Sequence, residues 1–68
     1  MEYATIKQVE RHKKAKYDAR PLRSFCNEHG LKTKFLPAAS GRGGDVAYPR
    51  VAWLRTQGVD LRLMNPKG

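Results

Sequence analysis

Cysteine, acidic side chains and long apolar runs are all scarce in this chain. The single cysteine, Cys26, excludes an internal disulfide framework and leaves too few thiolates for most structural zinc sites. No apolar run extends beyond a few residues, so no segment reads as a transmembrane helix. Met1-Glu2-Tyr3 lacks a basic start leading into a hydrophobic stretch, so no secretory signal is expected and a reduced, cytoplasmic setting is the default expectation. With only six Asp and Glu, no carboxylate pair or cluster is set out for acid–base chemistry. At 68 residues there is room for one domain, and none for a dinucleotide-binding fold, a barrel or a two-lobed enzyme. A domain of this size buries roughly 60% of the surface its unfolded chain exposes, so the core has to be small.

What the chain has in excess is positive charge. Fourteen Lys and Arg give a net charge of +8, and the isoelectric point is near 10.2. Basic surface gains affinity for a polyanion by displacing counterions from phosphates, which makes nucleic acid the expected partner. The alternative is that the charge serves only solubility. Its distribution favours the first reading. Lys7, Arg11, Lys13, Lys14, Lys16, Arg20 and Arg23 fall in one third of the chain, opposed there only by Glu10 and Asp18. This cluster is internal and interleaved with apolar anchors, unlike the disordered basic arms found at chain ends.

Local signals divide the chain into short elements. Thr5-x-x-Gln8 is a capping box opening a helix from Ile6 to Lys14 that buries Ile6 and Val9, with Tyr3 stapled beneath. Asp18 caps a second helix, Ala19 to Glu28, with Pro21 in the first turn and Gly30 as the left-handed stop. Leu22, Phe25, Cys26 and His29 share its apolar face, leaving Arg20, Arg23, Ser24 and Asn27 on the other side. Those residue types suit base edges and phosphates, because Arg pairs with guanine, Asn with adenine, and Ser with either; an ordinary solvated face has the same composition. Lys32–Leu36 and Val46–Tyr48 read as a β-hairpin around the Gly-rich stretch Ser40-Gly41-Arg42-Gly43-Gly44-Asp45. Pro49 then starts a third helix, Arg50 to Thr56, which is expected to point Val51, Trp53 and Leu54 inward and to end at Gly58. Residues 59–68 read as a tail, docking at most through Leu61, Leu63 and Met64. The expected fold is therefore α+β, a small winged helix-turn-helix in the order helix, helix, β-hairpin, helix, over residues 1–58.

Several short motifs resemble the small phage excisionases, or recombination directionality factors, of the Cox-like group, minimal winged helices akin to MerR-type regulators. Thr5-Ile6-Lys7-Gln8-Val9 is similar to the opening of their first helix. Leu22-x-x-Phe25 followed by Gly30-Leu31 resembles their second. Ala39-Ser40-Gly41-Arg42-Gly43-Gly44, with Tyr48 beyond, is similar to their Gly-Arg wing, and Tyr48-Pro49-Arg50 leading to Trp53-Leu54 resembles their last strand and final helix. Lys13 and Lys14 stand where the group has leucine before a glycine turn, and Pro21 is atypical of its second helix. The resemblance implies a DNA-bending protein without catalysis that binds adjacent duplex sites cooperatively, assists a tyrosine integrase and in some cases represses a promoter. It also implies a bacterial host cell and a nucleoid-associated location. Carried onto this chain, Arg20, Arg23, Ser24 and Asn27 would read the major groove. Arg42 would enter the minor groove or hold phosphate, and Lys14, Lys16, Lys32 and Lys34 would contact the backbone.

Other chemistry is weakly signalled. Cys26-x-x-His29 with His12 lacks the further ligands of a metal site, and a cysteine on an apolar helix face is usually core. The Gly-rich stretch lacks the Gly-Lys-Ser/Thr ending of a phosphate-cradling loop. No nucleophile has an orienting partner. No enzyme activity, metal or cofactor is expected. Two other partners stay open: RNA, for which Tyr17 and Tyr48 are the aromatics left once Phe25, Phe35 and Trp53 are assigned to the core, and an acidic host protein bound by a phage-encoded inhibitor.

Overall fold

Two strands in this chain pass into helices with no connecting loop, and those two corners organise the rest. The computed structural model describes residues 2–38 and 40–64; Met1, Ala39 of the Gly-rich tip, and the tail residues Asn65, Pro66, Lys67 and Gly68 lie outside the described residues. The elements are β1 (Tyr3–Thr5), α1 (Ile6–Lys13), α2 (Ala19–His29), β2 (Lys34–Pro37), β3 (Gly44–Pro49), α3 (Arg50–Gln57) and a 3₁₀ helix (Leu61–Leu63). The fold is thus α+β, with three α-helices and a three-stranded antiparallel sheet in the order β1-β3-β2.

At the first corner Thr5 ends β1, opposite Ala47 of β3, and also caps α1. Its hydroxyl accepts from the Gln8 N–H at 3.2 Å, and its own N–H donates to Gln8 Oε1 at 2.9 Å, completing the expected capping box. At the second corner Pro49 ends β3 and stands as the N-cap of α3, one position earlier than the first helical residue. The corners are joined by backbone and side chain: the Arg50 N–H donates to the Glu2 carbonyl at 2.9 Å, and the Trp53 indole N–H donates to the Ala4 carbonyl at 3.0 Å.

α2 follows its sequence signals closely. Asp18 accepts from the Arg20 N–H at 2.9 Å, and Pro21 lies in the first turn, where a helix needs no N–H. Gly30, at φ 62°, adopts the left-handed conformation that glycine enters without cost, and the Leu31 N–H then closes back on the Cys26 carbonyl at 2.8 Å. Leu22 and Cys26 are buried and Phe25 packs beside them. His29, expected on that apolar face, is exposed and tilts against the Phe25 ring at 4.3 Å.

Trp53 is the largest fully buried side chain, surrounded by a core that includes Ala4, Val9, Leu22, Tyr48 and Ala52. Tyr17 meets it edge-on at 5.5 Å, which fixes the chain just before α2. Burying an indole of this size contributes about 5 kcal/mol. The segment after Gly58 completes the core through Val59, Leu61 and Met64, whereas Leu63 turns outward.

Further expectations are corrected by this arrangement. β1 carries no sequence signal of its own, because a strand of three residues shows no alternation and is recognised only through its pairing with β3. β2 starts at Lys34 instead of Lys32. Val51 and Leu54 are 42% and 46% exposed, since Ala52 and Trp53 take the inner face of α3. Phe35, assigned to the core, is 61% exposed, because the hairpin runs beyond the helices that would cover it. Tyr48 is buried and unavailable for stacking, being opposite Ala4 at the centre of the sheet.

Trp53→Phe keeps an aromatic ring but leaves the buried Ala4 carbonyl without its donor and opens a void. The expected loss is about 2–4 kcal/mol, which in a domain of this size lowers the melting temperature by at least about 10 °C. Thermal melting followed by circular dichroism checks it; a shift of only two or three degrees, by the same conversion, would show that the tie is dispensable.

Candidate nucleic-acid interface

Acidic side chains are few, and almost every one is engaged at short range. Asp18 holds the Arg20 guanidinium through a fork of hydrogen bonds, the shortest 2.8 Å, and Asp60 holds Arg62 in the same way at 3.2 Å. Asp45 lies 3.9 Å from Lys7, and Glu2 lies 3.8 Å from Arg50. Glu10 accepts from the Tyr17 N–H at 3.0 Å, which ties α1 to the turn before α2. Lys34 sits over the Tyr3 ring, 4.5 Å from its centre. Among the described residues, Arg11, Lys13, Lys14, Lys16, Arg23, Lys32, Arg42 and Arg55 have no acidic partner. The excess charge is therefore concentrated on cations left available to an external anion.

Four of these eight cations line two clefts, and Arg55 lies apart beside Phe25 and His29. Lys14 and Lys16 line an open cleft with Lys7 and Arg11 along α1 and the following turn. Lys14 itself closes α1 in the left-handed conformation at φ 54°, the one non-glycine residue among those described to do so. In the second place, Arg23 and Asn27 of α2 line a smaller cleft with Thr33, Val46 and Tyr48, so the polar face of α2 looks onto the hairpin. Arg42 sits at the hairpin tip, where its N–H approaches the Ser40 hydroxyl at 3.4 Å. Lys32 is exposed in the link between α2 and β2.

The other expected site residues are placed differently. Ser24 is exposed on α2 but lines neither cleft. Arg20 is exposed, yet its guanidinium is already paired with the helix cap, so it meets an external anion only by exchanging Asp18. Lys34 lies opposite Ala47, one residue out of phase with Phe35 and Val46, which puts it on the sheet face away from Arg23 and Asn27. Arg11, which shares the polar side of the first helix with Lys7 and Lys14 at i, i+4, i+7 spacing but is not among the expected contact residues, joins them in the α1 cleft.

Cys26 is buried, and burial pushes its thiol pKa up, away from the reactive thiolate. Among the described residues, no three His, Cys, Asp or Glu side chains come together to hold a metal ion. No helix among them is long and apolar enough to cross a membrane. Compared with known proteins, the chain matches no family model, no curated protein and no solved structure.

Two outcomes follow from the caps. The hydrogen-bonded Arg20 guanidinium holds the Asp18 carboxyl below the usual value of 3.8, and Arg62 does the same for Asp60. A carboxyl depressed in the folded state adds stability that is complete above its unfolded value and is lost as pH falls through the folded one. Asp18→Asn keeps the cap acceptor but removes this charge, so it should lower stability slightly at neutrality, with the difference from wild type vanishing as pH falls below about 4, which flattens the acid limb. Urea midpoints measured across that range test this, and an unchanged acid limb would refute it. Lys14→Gly relieves the left-handed lysine and should raise stability by about 0.5–1 kcal/mol in the same assay.

Proposed function

We propose that this chain is a sequence-specific double-stranded DNA-binding protein of the winged helix-turn-helix type. α2 lies in the major groove, and the β2–β3 hairpin is the wing. The observation that carries this reading is the cleft shared by Arg23 and Asn27 with the hairpin, in which Arg23 has no acidic partner among the described residues. Arg23 and Asn27 are the base-reading pair, with geometry suited to guanine and adenine edges. Ser24 and Arg20 flank them. Lys14, Lys16, Lys32 and Arg42 contact phosphate from the α1 cleft, the linker and the wing tip, and Arg11 is added to that set. Lys34 supports the wing from its other face.

On this reading the protein acts without catalysis, metal or cofactor. The resemblance to Cox-like excisionases supports a role in phage DNA recombination, in which several copies on adjacent sites bend DNA for a tyrosine integrase. Transcription regulation is a second use of the same binding. The protein would work in the cytoplasm of a bacterial host, on the nucleoid. Exposed Phe35 favours one competing reading, an RNA-binding module, because an uncovered ring is also a platform for an unpaired base.

With four to six phosphates neutralised, duplex affinity should fall with salt at a log–log slope of roughly −4 to −5. Arg23→Ala should weaken a selected site by about 1–3 kcal/mol while affecting random duplex much less, whereas Lys16→Ala should weaken both alike. Equal losses from the two variants would remove α2 from the major groove. Preference for single-stranded RNA over duplex DNA in direct competition would replace the DNA reading with the RNA one.

A further inference from the structure

Phe35 is the one exposed Phe, Tyr or Trp among the described residues; the other five are buried or half-buried. It stands opposite Val46 in the β2–β3 pairing, and Val46 is also exposed. Side chains alternate across a strand, so both residues share a face with Tyr48 and with Ala4 opposite it, the face turned toward the helices. Val46 lines the cleft with Arg23 and Asn27. The exposed ring therefore lies on the sheet face that carries the cleft with Arg23 and Asn27.

The ring lies beside a glycine. Gly44 lies diagonally across the ladder at φ 152°, and a Cβ there would come within 2.7 Å of Phe35 Cζ and 2.6 Å of the Leu36 carbonyl oxygen. The Phe35 ring thus lies against Gly44 and is otherwise uncovered, and the close backbone of Leu36 and Pro37 requires glycine there. Arg23 lines the cleft with Val46, the strand partner of Phe35; Lys32 precedes β2 and Arg42 stands at the hairpin tip, and none of the three has an acidic partner among the described residues. An apolar partner protein would have to strip water from those cations without compensation, whereas a polyanion neutralises them.

We infer that Phe35 is an apolar wedge that enters the base stack of duplex DNA beside the bases reached by α2 and kinks the duplex there. Val46 covers the exposed edge of the opened step, and the bend brings further phosphates to Lys32 and Arg42, offsetting the lost stacking. The inference rests on the duplex-binding reading given above and adds to it the residue that makes the bend.

The test uses the full chain and a duplex recovered from a randomised pool by repeated binding to it. The duplex is end-labelled for energy transfer and scanned step by step with 2-aminopurine. The wild-type chain should raise 2-aminopurine fluorescence several-fold at one step and shorten the end-to-end distance. Phe35→Ser should abolish both while weakening binding by no more than about tenfold. Phe35→Leu should retain both, because a wedge needs apolar bulk, not an aromatic face. Duplex binding without step-specific unstacking, or a bend that survives Phe35→Ser, overturns the wedge and leaves the duplex reading intact. Loss in Phe35→Leu with retention in Phe35→Trp overturns it in favour of base stacking. Failure to recover any duplex overturns the duplex reading and the wedge together. Far-UV circular dichroism confirms that Phe35→Ser is folded; if it is not, the contrast between the Leu and Trp variants decides alone.

Discussion

The hydrogen bond from the Trp53 indole to the Ala4 carbonyl joins the two ends of the described fold across 49 residues of sequence. A chain with so small a core has few long-range ties, and this one does two things at once. It satisfies a carbonyl in a dry interior, and it fixes the side chain that contributes most to the core. Because β1 and β3 turn directly into α1 and α3, orienting Trp53 against Ala4 sets both strand–helix corners together. The Tyr17 edge against the indole extends the constraint to the start of α2. The placement of Arg23 and Asn27 beside the hairpin therefore follows, through two contacts, from how one buried ring is held.

The order of elements was readable where the physical cause lies within a few residues of its effect. The Thr5–Gln8 box, the Asp18 cap, Pro21 in the first turn and the stops at Gly30 and Gly58 are all local bonds or local dihedrals, and all appear as read. Features set by distant partners were not readable. β1 exists because β3 pairs with it. The inner face of α3 was ambiguous because Val51, Ala52, Trp53 and Leu54 are all apolar, so periodicity assigns no side to them. Trp53 resolves the ambiguity by bonding to β1, and Val51 and Leu54 rotate outward as a consequence. For the candidate site, exposure of the α2 face was legible from helical spacing. The pairing of Arg20 with its own cap, and the separation of Lys34 from the α2 side of the sheet, required the local geometry and the strand register.

The same geometry changes how the net charge should be counted. A charge of +8 says nothing about where an anion is attracted. Here Asp18, Asp45, Asp60 and Glu2 each neutralise a cation within 4 Å, and those pairs lie at helix caps and element junctions. Exposed pairs of this kind contribute little to stability. Their larger effect is spatial, since they cancel charge at the caps and leave it uncancelled along α1, on the outer side of α2 and at the hairpin tip. The field around the protein is shaped as much by where the six acids sit as by the number of bases.

The exposed apolar residues follow from the size of the core. Helices α2 and α3 cover the inner half of the sheet, where Ala4 and Tyr48 are buried, and do not extend over the outer half. A longer chain would place another element there, while this one leaves Phe35 and Val46 uncovered. A protein selected only for stability would gain by making Phe35 polar, since an exposed ring contributes little to the fold and favours association. Gly44 points to a different constraint, because a residue with a side chain at that position would collide with the ring and with the backbone of β2. Glycine weakens a strand in which it stands, yet it is the residue that lets this hairpin carry an aromatic ring on its open face. The exposed ring runs against the stability of the isolated domain, and the proposed wedge into a base stack would account for its place there.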